Sequence, residues 1–335
     1  MSAQPEAPLL ALREVGRDFD VSPSWLERML ERAPRRTLKA VDAVSLDIRR
    51  GETVALVGES GCGKSTVARL IVGLHAPSRG DIRFDGVDMA DGKSAARVRR
   101  RMQMIFQDPY ASLNPRWRVA RIVAEPLRAQ GQIKGNTAIR TRVVELLQQV
   151  GLAADDGDKY PHEFSGGQRQ RICIARALSA HPEFLVCDEP TSALDVSVQA
   201  QILNLMKDLQ ERLGLTYLFI SHNLAVVAFI ANRIGVMYLG RLVELAEART
   251  LFQWPRHPYT RMLLDALPDL EMSGRPRTPV AGEVPNPLAP PSGCAFHPRC
   301  PHANARCRRE RPAMSAWGEG APVACHAVEE GRLPV

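Results

Sequence analysis

Short apolar runs predict strands in the first part of the chain. Residues 9–19, 38–48 and 53–57 are rich in apolar and β-branched side chains, and residues 67–74 carry a helical pattern directly after them. The insertion at residues 22–36 is basic and amphipathic. Its stripe is interpreted as the face of a surface helix packed on its own chain, in preference to a membrane-surface helix. The stripe consists of Trp25, Leu26, Met29 and Leu30.

The pattern becomes helical between residues 108 and 164. Residues 119–130 and 137–150 have apolar positions at intervals of three and four, and Gly151 is a typical helix stop. Alternating strands and helices follow, which favours an α/β fold with a mostly parallel sheet flanked by helices. The clearest strand, helix and strand in this part are residues 184–187, 198–213 and 217–220.

The composition changes after Pro255. Frequent prolines exclude long helices there, and four cysteines lie within the last forty-odd residues. We therefore expect a main domain at residues 1–255, with a helical subdomain at about 108–175, and a small Cys/Pro-rich C-terminal extension at 256–335.

Length and charge narrow the function only slightly. A chain of 335 residues exceeds what one core usually organises. A net charge of +7 suits nucleotide, nucleic acid or an anionic membrane surface, and does not choose among them. The first residues lack a secretory signal pattern, so we expect a cytosolic protein. Residues 217–239 are the most apolar region, but polar residues interrupt them, so membrane association would need a partner.

A glycine-rich loop follows the strand at residues 53–57 and leads into a helix. Its glycines permit a sharp turn in which successive N–H groups point at one anion, next to the positive end of the helix dipole. Lys64 is placed to reach the β- and γ-phosphates of a nucleotide, and Ser65 to hold Mg²⁺. A glycine-rich turn with a chance lysine is the weaker alternative. The loop consists of Gly58, Glu59, Ser60, Gly61, Cys62, Gly63, Lys64, Ser65 and Thr66.

Two carboxylates end a later apolar strand. Asp188 and Glu189 follow residues 184–187 directly. At such a position Asp188 can coordinate Mg²⁺ through water, and Glu189 can polarise the attacking water. Acidic pairs at strand ends are also common solvated caps. The phosphate loop favours the catalytic interpretation.

A second anion-binding turn lies between these motifs. Ser165, Gly166, Gly167 and Gln168 lead into a helix, where free N–H groups can bind a phosphate. The same residues could be an ordinary helix cap, because Ser before Gly-Gly is a common start signal.

Together these motifs resemble those of the ATP-binding-cassette ATPases. GESGCGKST, Gln107 after an apolar strand, FSGGQ, LVCDEP, SALD and a histidine after LFIS occur in that family's order. The resemblance implies that the Ser-Gly-Gly turn of one cassette closes on the ATP held by another. The chain carries one copy of each motif, so it is expected to pair with itself or with a related subunit.

The resemblance also implies individual roles. Gln107 senses the γ-phosphate and Mg²⁺, Glu189 is the general base, and His222 orients the water and the γ-phosphate. Asp195 communicates across the dimer, and Phe19 is the candidate for stacking on adenine. Two positions depart from the family pattern without removing a catalytic group, so we expect activity to persist. These are Phe164, where Leu is typical, and Asn223, where Asp is usual.

Longer runs resemble the ATPase subunits of dipeptide and oligopeptide importers over nearly the whole chain. They lie at residues 106–116, 192–201 and 256–260. The resemblance implies a peripheral protein on the cytoplasmic face of the membrane. Its expected partners are a second, homologous ATPase subunit, two permease subunits and, indirectly, an external binding protein. A metal chelate remains an alternative cargo.

Four cysteines of the extension predict a metal centre, since disulfides are disfavoured in a reducing cytosol. Their spacing, with 5, 6 and 17 intervening residues, lacks the paired knuckles of many zinc sites but does not exclude zinc. The importer resemblance implies a 4Fe–4S cluster, whose charge nearby arginines, Arg299 among them, could offset. Four unliganded thiols are the remaining alternative. The cysteines are Cys294, Cys300, Cys307 and Cys325.

Two rival functions belong to other classes. A soluble cassette ATPase acting on nucleic acid or ribosomes would fit the basic charge, but such proteins usually carry two cassettes or a long coiled-coil insertion. Neither is present in the sequence. A regulatory cassette without hydrolysis is disfavoured because Glu189 and His222 are both present.

Overall fold

The structure is a computed structural model that describes residues 7–23, 25, 27, 29, 34–131, 133, 135–266, 282–316 and 321–333. Its strands are β1 (Leu10–Asp20), β2 (Thr37–Ile48), β3 (Thr53–Val57), β4 (Arg79–Phe84), β5 (Val87–Asp88), β6 (Met102–Ile105), β7 (Phe184–Asp188), β8 (Thr216–Ile220), β9 (Arg233–Tyr238) and β10 (Arg241–Glu247).

Its helices are α1 (Lys64–Ile71), α2 (Gly92–Arg99), α3 (Pro109–Ser112), α4 (Val119–Gln130), α5 (Asn136–Gln149), α6 (Gly166–Ser179), α7 (Val196–Leu213), α8 (Leu224–Ile230), α9 (Ala248–Gln253), α10 (Pro258–Asp265), α11 (Ala305–Arg309) and α12 (His326–Glu329). Short 3₁₀ turns lie at Ala154–Asp158, Pro161–Glu163 and His297–Arg299. The chain divides into two compact units. The first unit comprises residues 1–10, 48–53 and 83–221, and the second comprises residues 11–47, 54–82 and 222–335.

The first unit contains three parallel strands with β7 in the middle. Phe184 of β7 is level with Met102 of β6 on one side and with Thr216 of β8 on the other. Every residue of β7 and β8 is buried. Continuous apolar runs of this kind are typical of parallel strands covered on both faces, and they place Asp188 at the carboxyl end of the central strand.

Three helices of the first unit pack on one another. Helix α4 contacts α5 and α6, and α5 also contacts α6. In α4 the buried side chains fall three and four positions apart, as the stripe of a surface helix requires. These helices confirm the prediction of helical structure in this part of the chain. Helix α4 has the predicted bounds of residues 119–130. Helix α6 begins at the predicted Ser-Gly-Gly turn.

In the second unit, β9 pairs with β3 on one side and β10 on the other. The pairing with β3 is parallel and that with β10 is antiparallel, with a register shift between Leu242 and Glu244. Strand β1 lies between β2 and β4. The predicted α/β fold with a mostly parallel sheet is therefore confirmed.

The C-terminal residues extend the second unit at the edge of β10. The Leu245 amide donates a hydrogen bond to the Pro322 carbonyl (3.0 Å), and the Ala324 amide donates to the Val243 carbonyl (2.8 Å). Val323 forms bridges with Glu244 and Ser315. Backbone pairing thus holds the last part of the chain against a strand of the cassette.

The insertion before β2 differs from its predicted packing. Residues 25, 27 and 29 are helical, as the spacing predicted. Trp25 is 70 % exposed and Met29 is 75 % exposed, so the prediction that they pack on their own chain is wrong. Leu26 and Leu30 lie outside the described residues. Periodicity identified the helix but carried no information on what its apolar side faces.

In the part of the chain that the structure describes, no helix combines the length and the apolar character that a bilayer crossing requires.

Candidate nucleotide site

The phosphate loop of the second unit depends on two glycines. Gly58 and Gly63 have φ angles of 146° and 106°, which side-chain-bearing residues rarely adopt. A Cβ on Gly58 would collide with the Met237 carbonyl, and one on Gly63 would collide with the Ala40 carbonyl. The loop between them therefore passes closely against the backbone of its own unit before α1 begins at Lys64.

Lys64 lies along the loop, and its side chain is turned toward the loop carbonyls. Its Nζ atom donates to the carbonyl oxygens of Gly58 (2.8 Å) and Glu59 (3.0 Å). Ser65 and Thr66 are half-buried in the first turn of α1. Ser60 and Gly61 are exposed at the tip of the loop, whereas Cys62 is buried. The predicted strand, loop and helix are thus all present, and the Lys64 ammonium group binds carbonyls at the start of the loop.

Two residues of the C-terminal part of the chain hold Glu59 of this loop. The Glu59 amide donates to the Tyr259 hydroxyl (2.8 Å). Arg299 donates to both Glu59 carboxylate oxygens, at 2.8 and 2.9 Å. Sequence reasoning assigned Arg299 only to the charge of a metal cluster and did not single out Tyr259. A carboxylate next to a phosphate site needs a cationic partner. The glutamate in the loop therefore indicated that an arginine or lysine from elsewhere in the chain would bind it.

In the first unit, Gln107 and Glu189 are brought together. Gln107 Nε2 donates to Glu189 Oε2 at 2.9 Å. Glu189 has a φ of 47°, and its amide donates to the Ile220 carbonyl of β8 (3.0 Å). This left-handed conformation is uncommon for glutamate and turns the chain sharply at the end of β7. The preceding residue, Asp188, is buried at 3 % exposure.

The Ser-Gly-Gly turn is an exposed helix cap. The Ser165 hydroxyl accepts from the Gln168 amide (3.3 Å), and the Gln168 side chain accepts from the Ser165 amide (2.9 Å). This reciprocal capping box fixes the start of α6 and uses only some of its free N–H groups. Phe164, the departure from the family pattern, is buried directly before the cap.

Asp195 and His222 are both exposed and lie in different units. Asp195 of the first unit precedes α7, and its carbonyl accepts from the Gln199 amide (2.8 Å). His222 of the second unit follows β8. Its neighbour Asn223 caps α8 by accepting from the Ala225 and Val226 amides (3.0 and 3.4 Å). Asparagine therefore performs a capping role here that aspartate can also fill.

Phe19, the predicted adenine-stacking residue, is half-buried in β1 of the second unit. The Arg17 guanidinium lies 4.7 Å from its ring centre, and the His75 ring meets it edge to face with centroids 5.5 Å apart. The stacking role stays a prediction.

The four cysteines of the extension are neighbours, with the Cys294 amide donating to the Cys307 carbonyl (2.8 Å). Burial raises the pKa of Cys294 to about 12 and that of Cys300 to about 11, and the nearby thiols add to the effect. Among the described residues, no three His, Cys, Asp or Glu side chains are arranged to hold one metal ion. The thiols suit zinc or an iron–sulfur cluster chemically, but they are not ordered as a ligand set. None of the seven cysteines forms a disulfide.

Comparison with known proteins gives a consistent family. Residues 41–192 match the family model "ABC transporter", and residues 243–307 match "Oligopeptide/dipeptide transporter, C-terminal region". The oligopeptide transport ATP-binding protein AppF of Bacillus subtilis is 46% identical over 332 residues, covering 97% of this chain and 99% of AppF.

Two solved structures share the fold. CbiO1 of Clostridium perfringens, described as part of the ABC transporter complex cbiONQ, has a TM-score of 0.62 at 28% identity and covers 74% of this chain and 92% of its own. The ATP-binding cassette MJ0796, solved as a dimer with ADP and Pi, has a TM-score of 0.62 at 28% identity and covers 72% and 99%. With its cassette motifs and its C-terminal match, the chain belongs to the ABC transporter ATP-binding proteins that carry the oligopeptide/dipeptide transporter C-terminal region.

Proposed function

We propose that this chain binds and hydrolyses ATP to drive the import of dipeptides or oligopeptides through an ABC importer. The observation that carries the hydrolytic part is the Gln107–Glu189 hydrogen bond at the end of β7. The peptide cargo is supported by the C-terminal match at residues 243–307 and by the likeness to AppF over almost the full length of both chains.

The phosphate loop, from Gly58 to Thr66, would hold the triphosphate. Its backbone N–H groups and the start of α1 supply partial positive charge, and Lys64 supplies a full one. Ser65, Gln107 and Asp188 are the proposed Mg²⁺ ligands, since oxygen donors suit this ion. Bound Mg²⁺ would neutralise charge on the phosphates. Phe19 is the proposed adenine contact.

Glu189 is the proposed general base. Its carboxylate would accept a proton from the water that attacks the γ-phosphate, while Gln107 holds the carboxylate in place. His222 is proposed to orient the water and the γ-phosphate. Both Glu189 and His222 reach solvent, so each is accessible to a substrate.

A second cassette is proposed to complete the site. Ser165, Gly166, Gly167 and Gln168 would bind the γ-phosphate held by the partner, and Asp195 would report across the dimer. The surface proposed to face the partner is exposed to solvent. It includes Ser165, Asp195 and the adjoining Val196, which is 83 % exposed. The dimeric state of MJ0796 supports the pairing. The proposed partner cassette is homologous but not identical.

The remaining assembly is proposed from the importer resemblance. Two permease subunits would bind the cassettes on the cytoplasmic face of the membrane, and an external binding protein would deliver the cargo to them. We also propose residues 1–255 as the nucleotide-binding domain, with the helical subdomain at about 108–175, and residues 256–335 as the importer-type extension.

The extension is proposed to carry a 4Fe–4S cluster on Cys294, Cys300, Cys307 and Cys325, with zinc as the alternative. The support is the closeness of the four thiols, of which Cys307 and Cys325 are buried and Cys294 and Cys300 half-buried. Metal and sulfide analysis of anaerobically purified protein decides between them. Protein free of both metals contradicts the proposal.

Replacing Glu189 with Gln tests the hydrolytic part. We expect the assembled complex to lose turnover by at least about a hundredfold while it still binds ATP, because only the proton acceptor is lost. ATP hydrolysis and ATP binding are measured on the same preparation. Glu211→Gln, on an exposed position of α7, is the matched control and should hydrolyse normally. Undiminished turnover in Glu189→Gln would remove the assignment of the base.

The cargo is tested by uptake in a strain whose only importer of this type contains the chain. Uptake of a labelled dipeptide that unlabelled peptides inhibit supports the proposal. Uptake of a metal chelate alone supports the alternative cargo. Recovery of the chain with RNA or ribosomes, and without membrane subunits, would favour the rival class of cassette ATPase.

A further inference from the structure

The Arg299–Glu59 pair connects the cysteine-bearing extension to the phosphate loop. The two side chains meet through parallel hydrogen bonds of 2.8 and 2.9 Å, the bidentate arrangement that gives guanidinium–carboxylate pairs their directionality. The Arg299 side chain is 2% exposed and that of Glu59 is 24% exposed. A cation this deeply buried is tolerated only with a well-placed anion beside it.

The surroundings of Arg299 leave it little freedom. It also donates to the Tyr238 hydroxyl (3.5 Å), and the rings of Tyr238 and Phe296 lie 5.9 and 5.8 Å away. The neighbouring Tyr259 ring packs on Tyr238 with centroids 4.7 Å apart. An arginine guanidinium does not deprotonate in proteins, so Arg299 keeps its charge beside Glu59.

Glu59 is held at both its backbone and its side chain by the C-terminal part of the chain. Tyr259 accepts the Glu59 N–H, and Arg299 binds the carboxylate. The Tyr259 hydroxyl therefore occupies the Glu59 N–H. The Lys64 ammonium group donates to the carbonyls of Gly58 and Glu59. By holding Glu59, Tyr259 and Arg299 therefore also fix the position of the carbonyls that bind Lys64.

The charges of Glu59 and Arg299 affect the binding of a negatively charged triphosphate. A carboxylate in a phosphate-binding loop repels a triphosphate, and this repulsion is stronger in the protein than in bulk water unless a cation neutralises the charge. Arg299, which lies outside the loop, supplies the neutralising charge for Glu59.

We propose that Arg299 is a positioning residue for ATP: it neutralises Glu59 and, with Tyr259, fixes the phosphate loop in its binding conformation. The inference rests on the proposed nucleotide site. Arg299 directly precedes Cys300 and lies on the turn at His297–Arg299, between Cys294 and Cys300. The extension thus reaches the phosphate loop through Arg299.

The test compares three variants of the full chain: Arg299→Gln, Glu59→Gln and the double variant. Binding of a fluorescent ATP analogue gives Kd, and steady-state hydrolysis in the assembled complex gives KM and kcat. We expect Arg299→Gln to raise Kd and KM about tenfold or more with a smaller change in kcat, since it exposes the triphosphate to an unneutralised carboxylate.

The decisive result is the double variant. Neutralising Glu59 as well removes the repulsion, so Arg299→Gln/Glu59→Gln should recover most of the affinity that Arg299→Gln loses. A double variant that binds ATP as weakly as Arg299→Gln, or more weakly, overturns the inference. Arg299→Lys, which retains the charge but not the paired hydrogen bonds, should fall between wild type and Arg299→Gln. Affinity at the Arg299→Gln level in this variant contradicts charge neutralisation.

Two controls separate this inference from the proposed site and from loss of folding. Lys64→Ala must abolish binding of the analogue. If it does not, the nucleotide site itself is misassigned, whatever Arg299 does. If Arg299→Gln does not fold, the double variant, in which neither charge is left unpaired, is compared directly with the wild type. The inference predicts that a folded double variant keeps most of the wild-type affinity for ATP, and a large loss contradicts it.

Discussion

His257 is enclosed at the start of α10, where its Nδ1 atom accepts the Tyr259 amide at 3.0 Å. Its own amide donates to the Glu244 carboxylate at 2.9 Å. Burial lowers the pKa of His257 to about 3, so the ring is neutral in the folded protein across the physiological range. Unfolding returns the imidazole to water, where it titrates near 6.5.

This difference predicts acid sensitivity. Between pH 6.5 and about 3 the unfolded chain binds one more proton at this site than the folded chain. The free energy of unfolding should therefore fall as the pH falls, by up to about 1.4 kcal/mol for each pH unit well inside that window. Urea unfolding of the wild type and of His257→Asn, which retains a capping acceptor, measures the contribution.

His257→Asn should lose about one proton from the pH dependence of unfolding, since asparagine does not titrate. His162→Asn, at an exposed position, is the matched control for the removal of an imidazole as such. Equal slopes for wild type and His257→Asn would mean that His257 is not the group responsible.

At the scale of an element, the start of α6 combines a structural and a proposed functional role at one residue. Ser165→Ala removes the side-chain cap and should cost about 1 kcal/mol of stability. Ser165→Asn and Ser165→Asp both retain an acceptor and should preserve stability. Thermal unfolding of the three variants measures the cap alone.

The same variants separate capping from phosphate binding. Ser165→Asp places a negative charge where the partner's triphosphate is proposed to lie, so ATP hydrolysis in the assembled complex should fall well below that of Ser165→Asn. Normal hydrolysis by a stable Ser165→Asp variant would show that this turn does not face the nucleotide.

Elements with strong local patterns were predictable from the sequence. The buried runs of β3, β7 and β8 and the stripe of α4 were identified with bounds close to the observed ones, because period and turn chemistry are local properties. The contact between Arg299 and Glu59 joins residues 240 positions apart and leaves no local pattern. The exposure of Trp25 was not predicted for a related reason: an apolar stripe indicates a helix but does not show which surface, if any, covers it.

At the scale of the whole molecule, the proposed ATP site requires a second cassette. The phosphate loop and the exposed turn at Ser165 would each serve half of a site, so the hydrolysis rate per chain should fall when the isolated pair of this chain and its partner cassette is diluted below its dissociation constant. ATPase activity measured over a wide range of chain concentration tests this. A constant rate per chain in dilutions shown to be monomeric would contradict the shared site.

The contacts of Lys64 affect the entropy that nucleotide binding costs, because they already order the lysine side chain. A free lysine side chain carries about 2 kcal/mol of rotamer entropy, which is forfeited when its amine is fixed. The carbonyls of Gly58 and Glu59 already fix it. The lysine therefore loses most of this rotamer entropy when the chain folds. Nucleotide binding then changes the hydrogen-bond partners of the amine with little further loss of side-chain entropy.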